Sequence, residues 1–318
     1  MTTERVHTTA HHVDVAAPAG VVYGLIADAA SWPWYFPPNI HVEQLEFDGR
    51  TERLRMWATA NGQVRSWTSS RRLSPSERRI TFRQDLPAAP VKSMLGTWAV
   101  DAVDTGNSRL TLLHDFTVEG DDPDGVAWVE RAVDTNSRSE LEHLRRIAES
   151  WSRLDELVLT FEDSVRVKGG AELVYDFLYR VADWPERVPH VARLDITEDE
   201  PGVQVMSMDT TTADGSTHTT ESVRVCFPHA GRIVYKQTVT PALMTAHTGE
   251  WSVVPDETGV TVTSQHSVVL REDAVETVLG PGATVSDARR YVREALGRNS
   301  LATLELAKRH AETSVRML

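Results

Sequence analysis

The chain of 318 residues is 41% hydrophobic and 25% charged, holds one cysteine and carries a formal net charge of −13. The lone thiol, Cys226, cannot close an internal disulfide, no Cys-x-x-Cys pair offers a zinc site, and no apolar run reaches the roughly 18 residues of a membrane span. The acidic balance opposes nucleic-acid binding and the polar start from Met1 to His7 lacks a signal core, so a cytoplasmic protein acting apart from membrane and nucleic acid is expected.

In chain order, a β-rich opening over residues 8–15 is followed by Pro18 and a helical stretch over 19–27, then by a Trp32-Pro33 turn. Strand-like runs of period two follow, separated by Asp48-Gly49, Asn61-Gly62, Ser74-Pro75 and Gly106-Asn107. A long helix closes the series, with Val129, Val133, Leu141, Leu144, Ile147 and Trp151 near one stripe at helical spacing. The same order then begins again with a strand over 158–167, Gly169-Gly170 and a helix over 171–181.

The second series is a copy of the first. Val22-Tyr23 recurs as Val174-Tyr175, Trp32-Pro33 as Trp184-Pro185 and Pro37 as Pro189, all 152 residues later. Gly96-Thr97-Trp98 recurs as Gly249-Glu250-Trp251 at 153, and Asn136-Ser137 as Asn299-Ser300 at 163. An ordered series at nearly constant offset marks a duplication, with about ten residues around Gly280-Pro281-Gly282 inserted before the last helix. The expected domains are 1–153 and 154–318, each α+β, with a curved antiparallel sheet wrapped around one long C-terminal helix.

The richest segment for chemistry is Arg65 to Leu73. As a strand it puts Trp67, Ser69, Arg71 and Leu73 on one face, a mixture that fits either a lined cavity or an edge-strand arginine lying over its own tryptophan. The second copy has Thr220, Ser222, Arg224 and Cys226 in those places, so Ser-x-Arg recurs and the tryptophan does not. Asn136 falls on the apolar stripe of the long helix and is expected to face the sheet, where its amide needs partners; Asn299 repeats the question. The aromatic loop from Trp32 to Pro38 can roof a pocket mouth, and its Tyr35 has become Arg187 in the second copy. His114 and His266 lie on late strands and read as structural, with His266 a weak acid/base candidate for the second copy. His7, His11 and His12 do not make a metal site, since neighbours on a strand face opposite ways, and P-loop, GxGxxG, HExxH and GxSxG motifs are absent.

At Trp32-Pro33, Trp67-Thr68-Ser69-Ser70-Arg71, Gly96-Thr97-Trp98 and Asn136-Ser137 the first copy resembles the aromatase/cyclases of bacterial type II (aromatic) polyketide synthases, and the tandem arrangement resembles their di-domain members. The resemblance implies tandem START-like helix-grip domains, each with an internal cavity. It implies first-ring aldol closure (C7 to C12) and dehydration of a ketoreduced poly-β-ketone held on an acyl carrier protein, without a cofactor and alongside other synthase subunits. By the same resemblance Arg71, Ser69 and Tyr35 are expected to be catalytic, with Trp32, Trp67, Trp98 and Asn136 binding substrate. Ser222, Arg224, Trp251, His266 and Asn299 would form a secondary pocket in a mainly structural second copy.

A START-like carrier of a lipid or polyketide product, doing no chemistry, is the competing reading, and a scaffolding pseudoenzyme is a third. A buried Ser69/Arg71 pair favours the enzyme; an Arg71 tied in a structural ion pair favours the carrier. Because acyl carrier proteins are themselves acidic, docking would need a local basic patch, for which Arg71-Arg72 with Arg78-Arg79, Arg145-Arg146, and Arg289-Arg290 with Arg293 are the candidates.

Overall fold

The computed structural model describes residues 5–60, 62–211, 215 and 217–316. It divides into two compact units, Met1–Arg153 and Leu154–Leu318.

In the first unit β1 (His7–Val15) leads through Pro18 into α1 (Ala19–Ala27) and the single-turn α2 (Trp32–Tyr35). Six strands follow: β2 (Asn39–Phe47), β3 (Thr51–Ala60), β4 (Gln63–Ser74), β5 (Arg79–Gln84), β6 (Val91–Ala102) and β7 (Ser108–Val118). The long helix α3 (Pro123–Glu149) starts where Pro123 fixes the first turn and the Asp122 carboxylate accepts from Gly125 N at 2.8 Å. The strands form one antiparallel sheet ordered β1-β7-β6-β5-β4-β3-β2, and α3 packs on β1 and β7. That placement leaves the inner faces of β3 to β6 turned toward the interior beyond the helix.

The second unit repeats this plan after the short α4 (Leu154–Leu157). It runs β8 (Val158–Val167), α5 (Ala171–Tyr179), α6 (Trp184–Arg187), β9 (Val191–Glu200), β10 (Val203–Thr211), β11 (Thr217–Phe227), β12 (Arg232–Val239), β13 (Met244–Asp256) and β14 (Gly259–Leu270). Its sheet order is β8-β14-β13-β12-β11-β10-β9. The expected insertion folds as α7 (Val275–Leu279) and its flanking turns, ahead of the closing helix α8 (Val285–Arg316). No helix among the described residues is long and apolar enough to cross a membrane.

Both Trp-Pro segments are single helical turns, with the proline in the first turn where its missing N–H costs nothing. Two local expectations are corrected. The second copy's early helix stops at Tyr179. Trp151 lies beyond the end of α3 and is 45% exposed, so it is not part of the core stripe.

One cross-strand row decides what the interior looks like. In the first unit Glu52, Arg71, Phe82, Gly96, His114 and Thr9 are successive register partners from β3 to β1. In the second the row is Gln204, Arg224, Tyr235, Gly249, His266 and Phe161. The glycine is required by its neighbour: a Cβ on Gly96 would sit 2.0 Å from the Phe82 ring, and one on Gly249 would sit 2.3 Å from the Tyr235 ring. Each aromatic ring therefore lies flat across its glycine, pointing along the row. Gly96→Ala is expected to destabilise the chain by about 1–3 kcal/mol through overpacking, and Phe82→Leu in the same molecule to restore part of the loss, as read by thermal unfolding.

Candidate active site

Arg71 is 2% exposed, on the inner face of β4. Its Nη1 donates to the Ile26 carbonyl at 3.0 Å and its Nη2 to the Ala27 carbonyl at 2.7 Å, so it closes the last turn of α1, whose terminal carbonyls have no partner inside the helix. Its Nε donates to Glu52 Oε1 at 2.6 Å, and Gln44 Nε2 holds the other carboxylate oxygen at 2.7 Å. The Trp32 ring covers the guanidinium at 4.9 Å. Burial pulls the guanidinium below the usual arginine range while Glu52 pulls it back up. Arg71 is neither cavity lining with free donors nor an edge residue lying over Trp67. It is a core arginine, and Glu52, its register partner, makes that burial tolerable.

The other first-unit candidates separate into groups. The Ser69 hydroxyl is 2% exposed and donates to the Arg83 carbonyl at 3.0 Å. Trp67 and Trp32 pack on a small cluster of Ala29, Val42, Leu54 and Met56, and Trp98 is in the core. Tyr35 lies beside Ser31 and Asp28 and packs edge-on against Trp34; its phenol is raised by burial and by Asp28. The tyrosine in the field of Arg71 is Tyr23 of α1, whose hydroxyl is buried without a hydrogen-bond partner. Asn136 is exposed, contrary to expectation, and Ser137 faces the sheet at 1% exposure. The buried stripe steps by four through Val129, Val133, Ser137 and Leu141, which rotates Asn136 about 100° away from it.

Among the described residues Tyr23 Oη, Trp32 Nε1, His114 Nδ1, Thr9 Oγ1 and Ser137 Oγ are buried without hydrogen-bond partners, as are His7 Nε2 and His11 Nδ1 on the same face of β1 as Thr9. Each such atom costs about 1–3 kcal/mol if left unpaired, so each needs a hydrogen-bonding partner from solvent or ligand. His114 meets the Phe82 ring edge-on at 5.8 Å and is pushed down to about 4 by burial, with His11 adding to it, so it is neutral at physiological pH. Phe82, Trp67 and His114 point inward yet are only half-buried.

In the second unit Arg224 repeats the helix closure, donating to the Leu178 carbonyl at 2.5 Å and, more weakly, to Tyr179 O at 3.5 Å. Its other partner is Gln204 Oε1 at 2.8 Å, and Trp184 lies 5.7 Å from it. Ser222 and Trp251 are buried, and Asn299 is half-buried beside the buried Ser300. His266 is 4% exposed, with Tyr235 Oη and His247 Nε2 each 3.0 Å from its Nδ1 and Ser264 Oγ 3.2 Å from its Nε2. Burial holds its ring near a pKa of about 4.

Sequence reasoning missed Glu52, Tyr23, Ser137, Gln204, Tyr235 and His247. Tyr23 and Tyr175 carried a usable signal, since they recur in both copies. The arginine clusters expected to dock a carrier protein are largely engaged within the chain. Arg145 and Arg146 pair with Glu142, Arg79 with Asp101 and Arg290 with Asp287. Arg289 binds the Glu156 and Val158 carbonyls, and Arg293 pairs with Asp163. Removing one partner of a buried pair strands the other, so Glu52→Ala is expected to cost about 3–5 kcal/mol in chemical unfolding. Glu52→Gln should cost clearly less, because Gln204 already serves Arg224 in that role.

The chain is similar to proteins of known pathway. Residues 6–149 and 167–287 each match a family model described as polyketide cyclase / dehydrase and lipid transport. The chain is 44% identical over 96% of its length to the granaticin polyketide synthase bifunctional cyclase/dehydratase of Streptomyces violaceoruber, covering 95% of that protein. It is also 44% identical to the actinorhodin polyketide synthase bifunctional cyclase/dehydratase of Streptomyces coelicolor, with 96% of each chain covered. The crystal structure of BexL, a di-domain ARO/CYC of the BE-7585A biosynthetic pathway, superposes with a TM-score of 0.90 at 51% identity, covering 96% of this chain and 99% of that one. StfQ, the di-domain ARO/CYC of the steffimycin pathway, gives 0.85 at 35% identity over the same shares. The fold, the duplication and these relatives together establish that this chain belongs to the polyketide cyclase/dehydrase family, as a di-domain member of the aromatase/cyclase type.

Proposed function

We propose that the chain closes the first ring of a ketoreduced poly-β-ketone delivered on an acyl carrier protein, joining C7 to C12, and then dehydrates it toward an aromatic ring. In the aldol step a methylene proton is lost, the carbon–carbon bond forms and the receiving carbonyl oxygen takes up a proton. Dehydration then removes that hydroxyl as water. These steps need an apolar wall to fold the chain, donors for carbonyl oxygens, and neutral groups that move protons.

The unpartnered buried atoms of the first unit are the observation that carries this reading. Tyr23 Oη, Trp32 Nε1 and Ser137 Oγ are donors suited to ketone and enolate oxygens, and His114 Nδ1 is a neutral ring nitrogen suited to proton transfer. Trp32, Trp67 and Phe82 supply the apolar wall. In this reading Arg71 and Ser69 act mainly by position: Arg71 holds α1, Tyr23 and Trp32 in place, and Ser69 ties β4 to β5. Tyr35 belongs to the aromatic loop around Trp34.

The Arg71–Glu52 ion pair favours a second reading, a carrier that holds the product without transforming it. Product analysis separates the two. Added to a minimal synthase with its ketoreductase, the chain is expected to shift the products to a first-ring aromatic compound, whereas an unchanged profile with and without the ketoreductase would leave the carrier.

A further inference from the structure

Three of the inward positions at which the second unit differs from the first bear on its chemistry. Gln204 stands for Glu52, so the 3%-exposed Arg224 is paired with no carboxylate among the described residues; Glu198 is one step removed, bound to Gln204 Nε2 at 2.9 Å. Tyr235 stands for Phe82 and directly faces Arg224 across β11 and β12. His247 stands for Met94 and is 2% exposed. Among the described residues Tyr175 Oη, His247 Nδ1 and, on the Tyr235 face of β12, Gln237 Oε1 are buried without partners. Tyr235, Tyr175 and Phe161 point inward and stay half-buried.

The geometry points to a second acid–base site in this unit, built from Arg224, Tyr175, Tyr235, His247 and His266, that takes a β-hydroxy ketone and eliminates water from it. The inference rests on the polyketide reading for its substrate class. One assignment of the protons meets all three contacts and leaves a base. With His266 Nε2–H donating to Ser264 Oγ, the His266 Nδ1 lone pair accepts from both Tyr235 Oη and His247 Nε2. His247 then carries its only proton on Nε2, and its unpartnered Nδ1 is a bare, buried base.

The elimination balances through these groups. His247 Nδ1 takes the proton from the carbon beside the ketone, and the electron pair moves onto the ketone oxygen, held by the Arg224 guanidinium, which has no direct carboxylate partner among the described residues, and by Tyr175. The enolate re-forms the ketone as the new carbon–carbon double bond expels the β-hydroxyl, which takes the Tyr235 proton and leaves as water. His247, now carrying two protons, passes the one on Nε2 to His266 Nδ1, which returns it to Tyr235. Tyr235 and His266 end as they began; His247 is left with its proton on Nδ1, and exchange of that proton with solvent together with reprotonation of Nε2 restores its starting tautomer. Burial keeps both rings neutral at physiological pH, as this circuit requires.

The first unit supplies the conservative test variants, since Phe82 and Met94 occupy the matching places. Tyr235→Phe keeps the ring across Gly249 and removes only the hydroxyl; His247→Met fills the same position without a base. In the full chain with the reconstituted synthase, either variant and the pair are expected to accumulate a cyclised product heavier by one water, with dehydration slowed roughly 10²-fold. Unfolding temperatures should stay near that of the unaltered chain. Dehydrated aromatic product in unaltered proportion from the double variant would overturn the site and leave the cyclase reading standing. An unaltered chain that produces no cyclised species at all would overturn both.

Discussion

A buried guanidinium at the end of a nine-residue helix organises each half of this molecule. The last carbonyls of α1 and α5 have no partners within their helices, no basic residue occupies either last turn, and an arginine from the sheet satisfies them in both units. The latch fixes the helix against the sheet, which places Tyr23 or Tyr175 over the interior and brings Trp32 or Trp184 onto the guanidinium face. Arg71 needs its charge for this and cannot be replaced by a neutral residue of similar size without leaving carbonyls bare.

The two units compensate that buried charge differently, and their chemistry diverges as a result. Glu52 turns the first latch into an ion pair whose outward field is largely cancelled, and the interior beyond it is Phe82, a neutral His114 and a set of donors. Gln204 leaves the second latch without a direct carboxylate partner among the described residues, Glu198 standing one hydrogen bond away, and the interior beyond it holds a phenol and two imidazoles in contact. A duplicated fold thus offers two interiors of different polarity.

Much of the fold was legible in the sequence because the duplication and the two hydrophobic periods are local signals that survive without knowledge of contacts. The order of elements, the insertion before α8 and the shared face of Trp67, Ser69 and Arg71 follow from them directly. The partners of Arg71 were not legible. Glu52 lies nineteen residues away and meets Arg71 only through the β3–β4 register, and Ile26 and Ala27 act through their carbonyls, which carry no side-chain signature. Asn136 was misplaced because one residue on a helix turns a side chain by about 100°, and the stripe steps through Ser137 instead. The Tyr235–His247–His266 cluster spans three strands, so no spacing rule announces it. The arginine clusters look free in sequence because their acidic and carbonyl partners lie a helical turn away or across the fold.

The central claim is that both interiors receive the oxygenated chain. Hydrogen exchange of the full chain, with and without a carrier protein bearing a stable mimic of a poly-β-ketone, tests this most directly. The account predicts slowed exchange in β4 and β5 around Arg71 and also in β11 to β13 around Arg224 and His247. Protection confined to the first unit, with the second unchanged at saturating mimic, would contradict it.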